Sequence, residues 1–412
     1  MAVPDWIWFV FVFAFGCCIG SFLNVVVYRM PRDKSLVTPP SSCPACGRHI
    51  RFYDNVPLVS WLVLGRKCRY CKAPVSPRYF IIELLTGVIF LGLFILYFRI
   101  DSQEFVQPFS SRCWFIYVLH IILLAAFIAA SAIDLEHWVI PLSICWLVTA
   151  VGFVGSAVGA YYVIAPGEVI ASADVRSYYL PPSTADIIFT DGTAIASLAV
   201  GAAIGLAIST ALLMTGLVKR SYESDNPGED QQAGQKDSEP KADTPEEQQE
   251  LPQEQFDHRL EALREIVFLL PIIGCSLLAL WIGGQVEPIS TWWSEFSQHP
   301  VVSGLLGSVW GYFVGCGIVW GIRIFGTLVF GKEAMGLGDV HLMGAAGAVV
   351  GPLLVVVAFF IAPFFGLAWA GSQMFFKKVR QIPYGPFLSL GIFVVMILHD
   401  WILNRVGFLF YR

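Results

Sequence analysis

Uninterrupted apolar runs of about 20 residues recur along this chain and constrain its fold more than any other feature. A helix of that length crosses the ~30 Å hydrocarbon layer of a bilayer. In lipid the backbone must satisfy its own hydrogen bonds, so a chain with many such runs folds as a helical bundle. The runs fall at 6–28, 79–98, 112–133, 139–163, 192–217, 264–284, 302–330 and 386–408. A further stretch, 342–376, is broken at Gly351-Pro352. It reads as two short helices, the first thin or re-entrant at 338–351. The expectation is an all-α polytopic membrane protein of about 8–10 transmembrane helices. Composition agrees: 56% of the 412 residues are hydrophobic and 14% charged, against about a quarter charged in soluble domains.

Basic residues set the orientation. Met1–Trp6 carries no lysine or arginine, so the start lacks the basic region of a signal peptide. Arg29, Arg32 and Lys34 follow the first span, which places residue 29 onward in the cytoplasm. Residues 29–78 form a soluble segment with ten lysines and arginines against two acids, Asp33 and Asp54. Such a loop lies close to anionic lipid headgroups. Nucleic-acid binding is discounted because spans tether the loop at both ends.

Inside that loop sit Cys43-Pro-Ala-Cys46 and Cys68-Arg-Tyr-Cys71, with 21 residues between the pairs. Each CxxC knuckle aims two thiolates at one ion, and two knuckles make a tetrahedral zinc site. A disulfide pair is the runner-up, disfavoured in the cytoplasm. Four cysteines leave no open coordination position, so the zinc is structural. A loop this small builds little core of its own and gains from a metal staple. Cys17, Cys18, Cys113, Cys145, Cys275 and Cys316 lie in apolar runs as ordinary small hydrophobes.

The chain then divides into a membrane part at 79–165, an insert at 166–300 and a second membrane part at 301–408. Ser21 and Asn24 read as interhelical hydrogen-bonding groups, and Glu83 as a snorkelled or paired interfacial acid. The insert holds an outer loop and a span at 192–217 whose Gly201, Ala202, Ala203 and Gly205 suit close packing. It continues with a disordered acidic linker at 221–257, read as a solvated tether, and a second extra span. Its end, 285–300, reads as an outer loop with Trp292 and Trp293 at the interface. The run 302–330 resembles 192–217 in its glycine and alanine pattern, a hint of local duplication. Lys377-Lys378-Val379-Arg380 falls in the cytoplasm if the break at Gly351-Pro352 makes two spans.

Two acids stand at membrane mouths. Asp339 lies in Glu333-Ala-Met-Gly-Leu-Gly-Asp-Val-His341 between two apolar runs, and Asp134 ends the run at 112–133. An acid at such a place is costly and is a functional candidate by default. The topology puts both at the same depth on the same face, although 205 residues separate them. Two carboxylates held close share one proton and titrate as a unit. One then activates water against a peptide carbonyl while the other protonates the oxyanion and later the leaving amine, which is aspartyl proteolysis. Gly336 and Gly338 would let a substrate backbone approach Asp339. Glu136 and His137 read as exposed loop residues.

Several segments resemble the type IV prepilin peptidase family of GxGD-type membrane aspartyl proteases. Gly20-Ser-Phe-Leu-Asn-Val-Val-Val-Tyr-Arg29 is similar to its first-span signature. The two CxxC pairs, Tyr53-Asp-Asn-Val-Pro-Leu-Val-Ser-Trp61 and Ser76–Gly87 resemble its cytoplasmic domain and second span. Ala132-Ile-Asp134 and Gly336-Leu-Gly-Asp339 are similar to its two catalytic motifs, and Ile382-Pro-Tyr-Gly-Pro-Phe387 to the start of its last span. The resemblance covers roughly 16–165 and 302–408. It implies catalytic Asp134 and Asp339, prepilin or pseudopilin substrates, and a multi-pass protein of the bacterial inner membrane with its site facing the cytoplasm. It further implies cleavage of a basic leader and, in many members, N-methylation from S-adenosylmethionine. The sequence departs from the family at His341, usually a lysine, at Leu142 after Pro141, and in the insert. An imidazole would support an ionised aspartate less than a lysine and would respond to pH. A non-enzymatic membrane assembly factor, another GxGD intramembrane protease and a proton-coupled transporter remain as rival readings. Deep acids would suit a transporter, whereas these two lie at the mouths.

Overall fold

The computed structural model describes residues 4–98, 114–163, 192–218, 221, 257–287, 289–376, 383–399, 401, 402 and 405. The loops expected at 99–111 and 164–190, nearly all of the acidic linker, the Lys377–Arg380 cluster and the end of the last span lie outside the described residues. Among the described residues, twelve α-helices follow in order. They are α1 Asp5–Arg29, α2 Val59–Val63, α3 Pro77–Phe98, α4 Trp114–His137, α5 Leu142–Val163, α6 Gly192–Met214, α7 His258–Gln285, α8 Ile289–Ser297, α9 Pro300–Phe330, α10 Leu337–Val350, α11 Pro352–Phe376 and α12 Gly385–Ile397. Eight are long and apolar enough to cross a membrane, and α10 and α12 are shorter apolar helices.

The helices meet through small residues, as lipid-embedded helices must where no solvent drives them together. Gly16 and Gly20 of α1 face Gly87 and Glu83 of α3. Gly311 of α9 faces Gly347 of α10, each glycine's missing side chain being filled by the other's carbonyl. Gly201 and Gly205 of α6 lie on the backbone of α7 at Cys275–Ser276 and Pro271–Ile272. The α6/α7 and α9/α10 pairs thus repeat one packing device, glycines four apart on the first helix. The break expected at Gly351-Pro352 is present, with Gly351 at φ 88° between α10 and α11.

Helix α7 shows which solvent the bundle meets. It buries Glu261 and Glu265 and exposes Leu263, Val267, Leu270, Ile273, Leu277 and Trp281. That inversion of the soluble pattern suits a lipid surround. One expectation is corrected: 289–297 is the helix α8 rather than loop. The indole of Trp293 there donates to Ser197 Oγ at 2.8 Å on α6, which holds the segment against the bundle long enough to wind.

The knuckle segment hangs between α1 and α3. Asn24 Nδ2 donates to Tyr79 O at 3.1 Å. Glu83, buried in α3, accepts from the Leu58 backbone N–H at 2.8 Å, and Trp61 of α2 stacks on Phe80 of α3 with ring centroids 4.7 Å apart. Glu83 is therefore a tether between the soluble segment and the bundle. Arg78 pairs with Glu136 in the last turn of α4. Glu136 and His137 thus belong to a helix end rather than a loop.

Candidate active site

The two knuckles are copies of one backbone device. Cys43 N–H donates to Arg48 O at 2.9 Å and Gly47 N–H to Cys43 O at 2.8 Å. Twenty-five residues on, Cys68 N–H donates to Ala73 O at 2.9 Å and Lys72 N–H to Cys68 O at 3.1 Å. Gly47 and Lys72, each just after the second cysteine of its pair, both take positive φ, which turns the chain back. A short antiparallel bridge closes each knuckle, Ser42 with His49 and Lys67 with Pro74. The four sulfurs lie within 4.8 Å of one another as free thiols. Cys43 Sγ and Cys71 Sγ are 3.8 Å apart. Zn–S bonds of ~2.3 Å in a tetrahedron require an edge of about 3.8 Å, so the set is sized to hold a metal ion. Backbone N–H groups of Cys71 and Tyr70 lower the Cys68 thiol to about 6, which favours the thiolate a metal needs.

Asp134 and Asp339 come together at the ends of α4 and α10. Each is nearly buried, at 6% and 9% exposure, and Asp134 acts electrostatically on Asp339. Asp339 occupies the first turn of α10, three residues after its N-cap Gly336. It accepts from the Gly336 backbone, the acid half of a capping box. Asp134 stands at the C-terminal end of α4, where its own helix dipole is unfavourable to a carboxylate. A second helix compensates: the Gly385 N–H, at the start of α12, donates to Asp134 Oδ2 at 3.1 Å. Both acids therefore look into helix N-termini.

Three elements fix the spacing. Gly385 lies so close to Asp134 that an added Cβ would sit 2.7 Å from Oδ2. Its neighbour Tyr384 lies within electrostatic reach of Asp339, so the start of α12 lies beside both acids. Ile140, buried in the turn between α4 and α5, packs against the bare faces of both Gly338 and Gly385. Gly338 is thus a packing site for Ile140 rather than an open approach for substrate, and Gly336 faces only Asp339. One turn deeper, Ser131 Oγ donates to Ser389 Oγ at 2.9 Å and clamps α4 to α12.

His341 lies across α10 from Asp339, two residues and about 200° on. Its Nδ1 is 3.3 Å from the Tyr312 hydroxyl, and its ring packs on Trp146 at 5.6 Å. It fills a space between α9 and α5. Arg323 of α9 supplies the cation near Asp339 instead. The sequence signal for it was available, since Arg323 is the sole charged residue in the apolar run 302–330. Gly385 was legible only as part of a motif, and Ile140 carried no signal.

Residues 14–97 match the bacterial peptidase A24 N-terminal domain, and residues 267–371 match the type IV leader peptidase family. The four knuckle cysteines lie in the first match and Asp339 in the second, whereas Asp134 lies outside both. The second match begins inside the 166–300 segment read as an insert. A prepilin leader peptidase/N-methyltransferase of Myxococcus xanthus is 41% identical over 134 residues, covering 32% of this chain and 36% of that protein. A type 4 prepilin-like proteins leader peptide-processing enzyme of Escherichia coli is 41% identical over 144 residues, covering 31% and 48%. A prepilin leader peptidase/N-methyltransferase of Pseudomonas aeruginosa is 33% identical over 159 residues, covering 32% and 50%. The chain spans about a third to a half of the length of the curated relatives it matches. No solved structure matches it.

Proposed function

We propose, from the premise that this chain belongs to the type IV prepilin peptidase family, that it cleaves the basic leader of a type IV prepilin or pseudopilin at the cytoplasmic face of the bacterial inner membrane. Asp134 and Asp339 carry the reaction. The observation behind this reading is the convergence of two nearly buried carboxylates from helices 205 residues apart in sequence. With one proton shared between them, the ionised member takes a proton from water, whose oxygen bonds to the scissile carbonyl carbon. The protonated member donates to the carbonyl oxygen. The C–N bond then breaks as the amine nitrogen takes up a proton from the dyad. Gly385 N–H and Gly336 N–H hold the carboxylates in place throughout.

The knuckle segment, in this reading, holds zinc through Cys43, Cys46, Cys68 and Cys71. Zinc held there would order the segment, and the segment would then present a substrate arriving from the cytoplasm. Methylation of the new N-terminus from S-adenosylmethionine is proposed from the relatives' names alone. No described residue is therefore assigned to the donor.

The test is co-expression with a prepilin in membrane vesicles. Asp134→Asn and Asp339→Asn should each lower leader removal by on the order of 10³-fold or more while the protein still accumulates. Leader removal by either variant at the wild-type rate sinks the two-aspartate assignment. Metal analysis of the purified chain should find one zinc per chain, lost on Cys43→Ser.

A further inference from the structure

Helix α7 belongs to the segment that separates the two aspartates in sequence, and it turns a carboxylate inward. Glu265 Oε1 accepts from Arg323 Nε at 3.0 Å, and Oε2 accepts from the Trp320 indole at 2.8 Å. Glu265 and Arg323 are 4% and 1% exposed. The same guanidinium reaches forward to the loop between α9 and α10. There it donates to Glu333 Oε1 at 2.6 Å and to the Met335 carbonyl. Met335 immediately precedes Gly336, the N-cap of α10 whose N–H holds Asp339. Thr327 Oγ1 accepts from the Ala334 N–H at 3.4 Å on the same loop.

We infer that Glu265 and Arg323 are positioning residues for the dyad, through which α7 holds the loop 333–336 and so the start of α10. An arginine fork bound on one side only can swing, because its side chain keeps rotamer freedom. Glu265 and Trp320 fix its far side, so its near side is pre-organised on Met335 O. Glu333, 46% exposed, is a weaker grip than the Met335 carbonyl, because water competes for it. Helices α6 and α7 are therefore part of the machinery that sets Asp339 rather than an appendage to it. Glycine packing of α6 on α7 holds Glu265 in place in turn. The effect on turnover rests on the peptidase reading; the grip on the loop does not.

The experiment uses the full chain in lipid vesicles, with amide hydrogen exchange of 331–340 and leader cleavage of a prepilin both measured. Glu265→Ala should speed exchange at 333–338 about tenfold or more while leaving 41–75 unchanged. It should lower kcat about 100-fold with KM within about twofold. Glu265→Gln, which keeps the shape and one acceptor, should recover at least about tenfold of that loss. Glu333→Gln should cost no more than about threefold. Unchanged exchange in Glu265→Ala, or a loss carried by KM instead of kcat, overturns the proposal. If Glu265→Ala does not accumulate, Arg323→Lys decides. A lysine can pair with Glu265 but cannot also span to Met335 O, so loop exchange equal to wild type overturns the proposal. If the wild-type chain cuts no prepilin, the peptidase reading falls while the exchange comparison still stands.

Discussion

Gly385 has no side chain because Asp134 occupies the place where one would be. A Cβ there would sit 2.7 Å from the carboxylate oxygen, closer than any van der Waals contact allows. The aspartate would have to turn away from the Gly385 N–H that holds it. Gly385→Ala should therefore lower leader cleavage by about 100-fold, as expected for a misplacement of about 1 Å at a reacting group, with helix content by circular dichroism unchanged. A wild-type rate in that variant would mean the Gly385 contact does not set the acid. Backbone N–H groups of Cys71 and Tyr70 bring the Cys68 thiol down to about 6. A metal binds thiolates and displaces their protons, so affinity falls as the pH falls. Zinc should be retained at about pH 7.5 and released by about pH 5, read with a chromophoric chelator. At this scale the acids and cysteines were legible by residue type and spacing. The partners of the acids were not, because a backbone N–H carries no letter in the sequence.

At the scale of elements, packing is decided by glycines and by one buried acid. Gly311 and Gly347 bring α9 and α10 into backbone contact. Gly347→Val should push α10 outward and shift Asp339 with it. Loss of leader cleavage together with a fall of several degrees in melting temperature is expected, since overpacking costs about 1–3 kcal/mol. Glu83 ties the knuckle segment to α3 through the Leu58 N–H. Glu83→Ala leaves that group without its carboxylate, at about 1–3 kcal/mol. Amide exchange of 52–64 should rise while the spans stay protected; equal exchange would show that α2 docks without it. Apolar periodicity and length identified the spans, including the break at Gly351-Pro352. They misread 289–297 as loop because α8 is short, and it is held by the Trp293 contact to Ser197, which no local pattern announces. The charge inside 302–330 was visible, yet its partner Glu265 sits on a helix 58 residues away.

For the whole molecule, two sources of order are separable. The bundle is held by backbone hydrogen bonds kept dry in lipid and by close helix contacts, whereas the knuckle segment has little core and four clustered cysteines that could hold a metal staple. A chelator should therefore unfold 29–78 and leave the helical signal of the spans unchanged. Collapse of the whole bundle on chelation would contradict that division. The sequence by itself determined a helical membrane protein, the apolar runs that form its long helices, the four-cysteine pattern and the two aspartates proposed to carry the chemistry. Those follow from hydropathy, charge bias and spacing, which are local properties of the chain. Tertiary structure decided which helix ends face the acids, that His341 fills a gap beside Tyr312, and that Arg323 stands where a cation near Asp339 was sought. It also drew α7 into the support of the loop. Those depend on groups brought together from 16 to 251 residues apart in sequence, and no single spacing rule covers them, because only packing in three dimensions sets which helix faces meet.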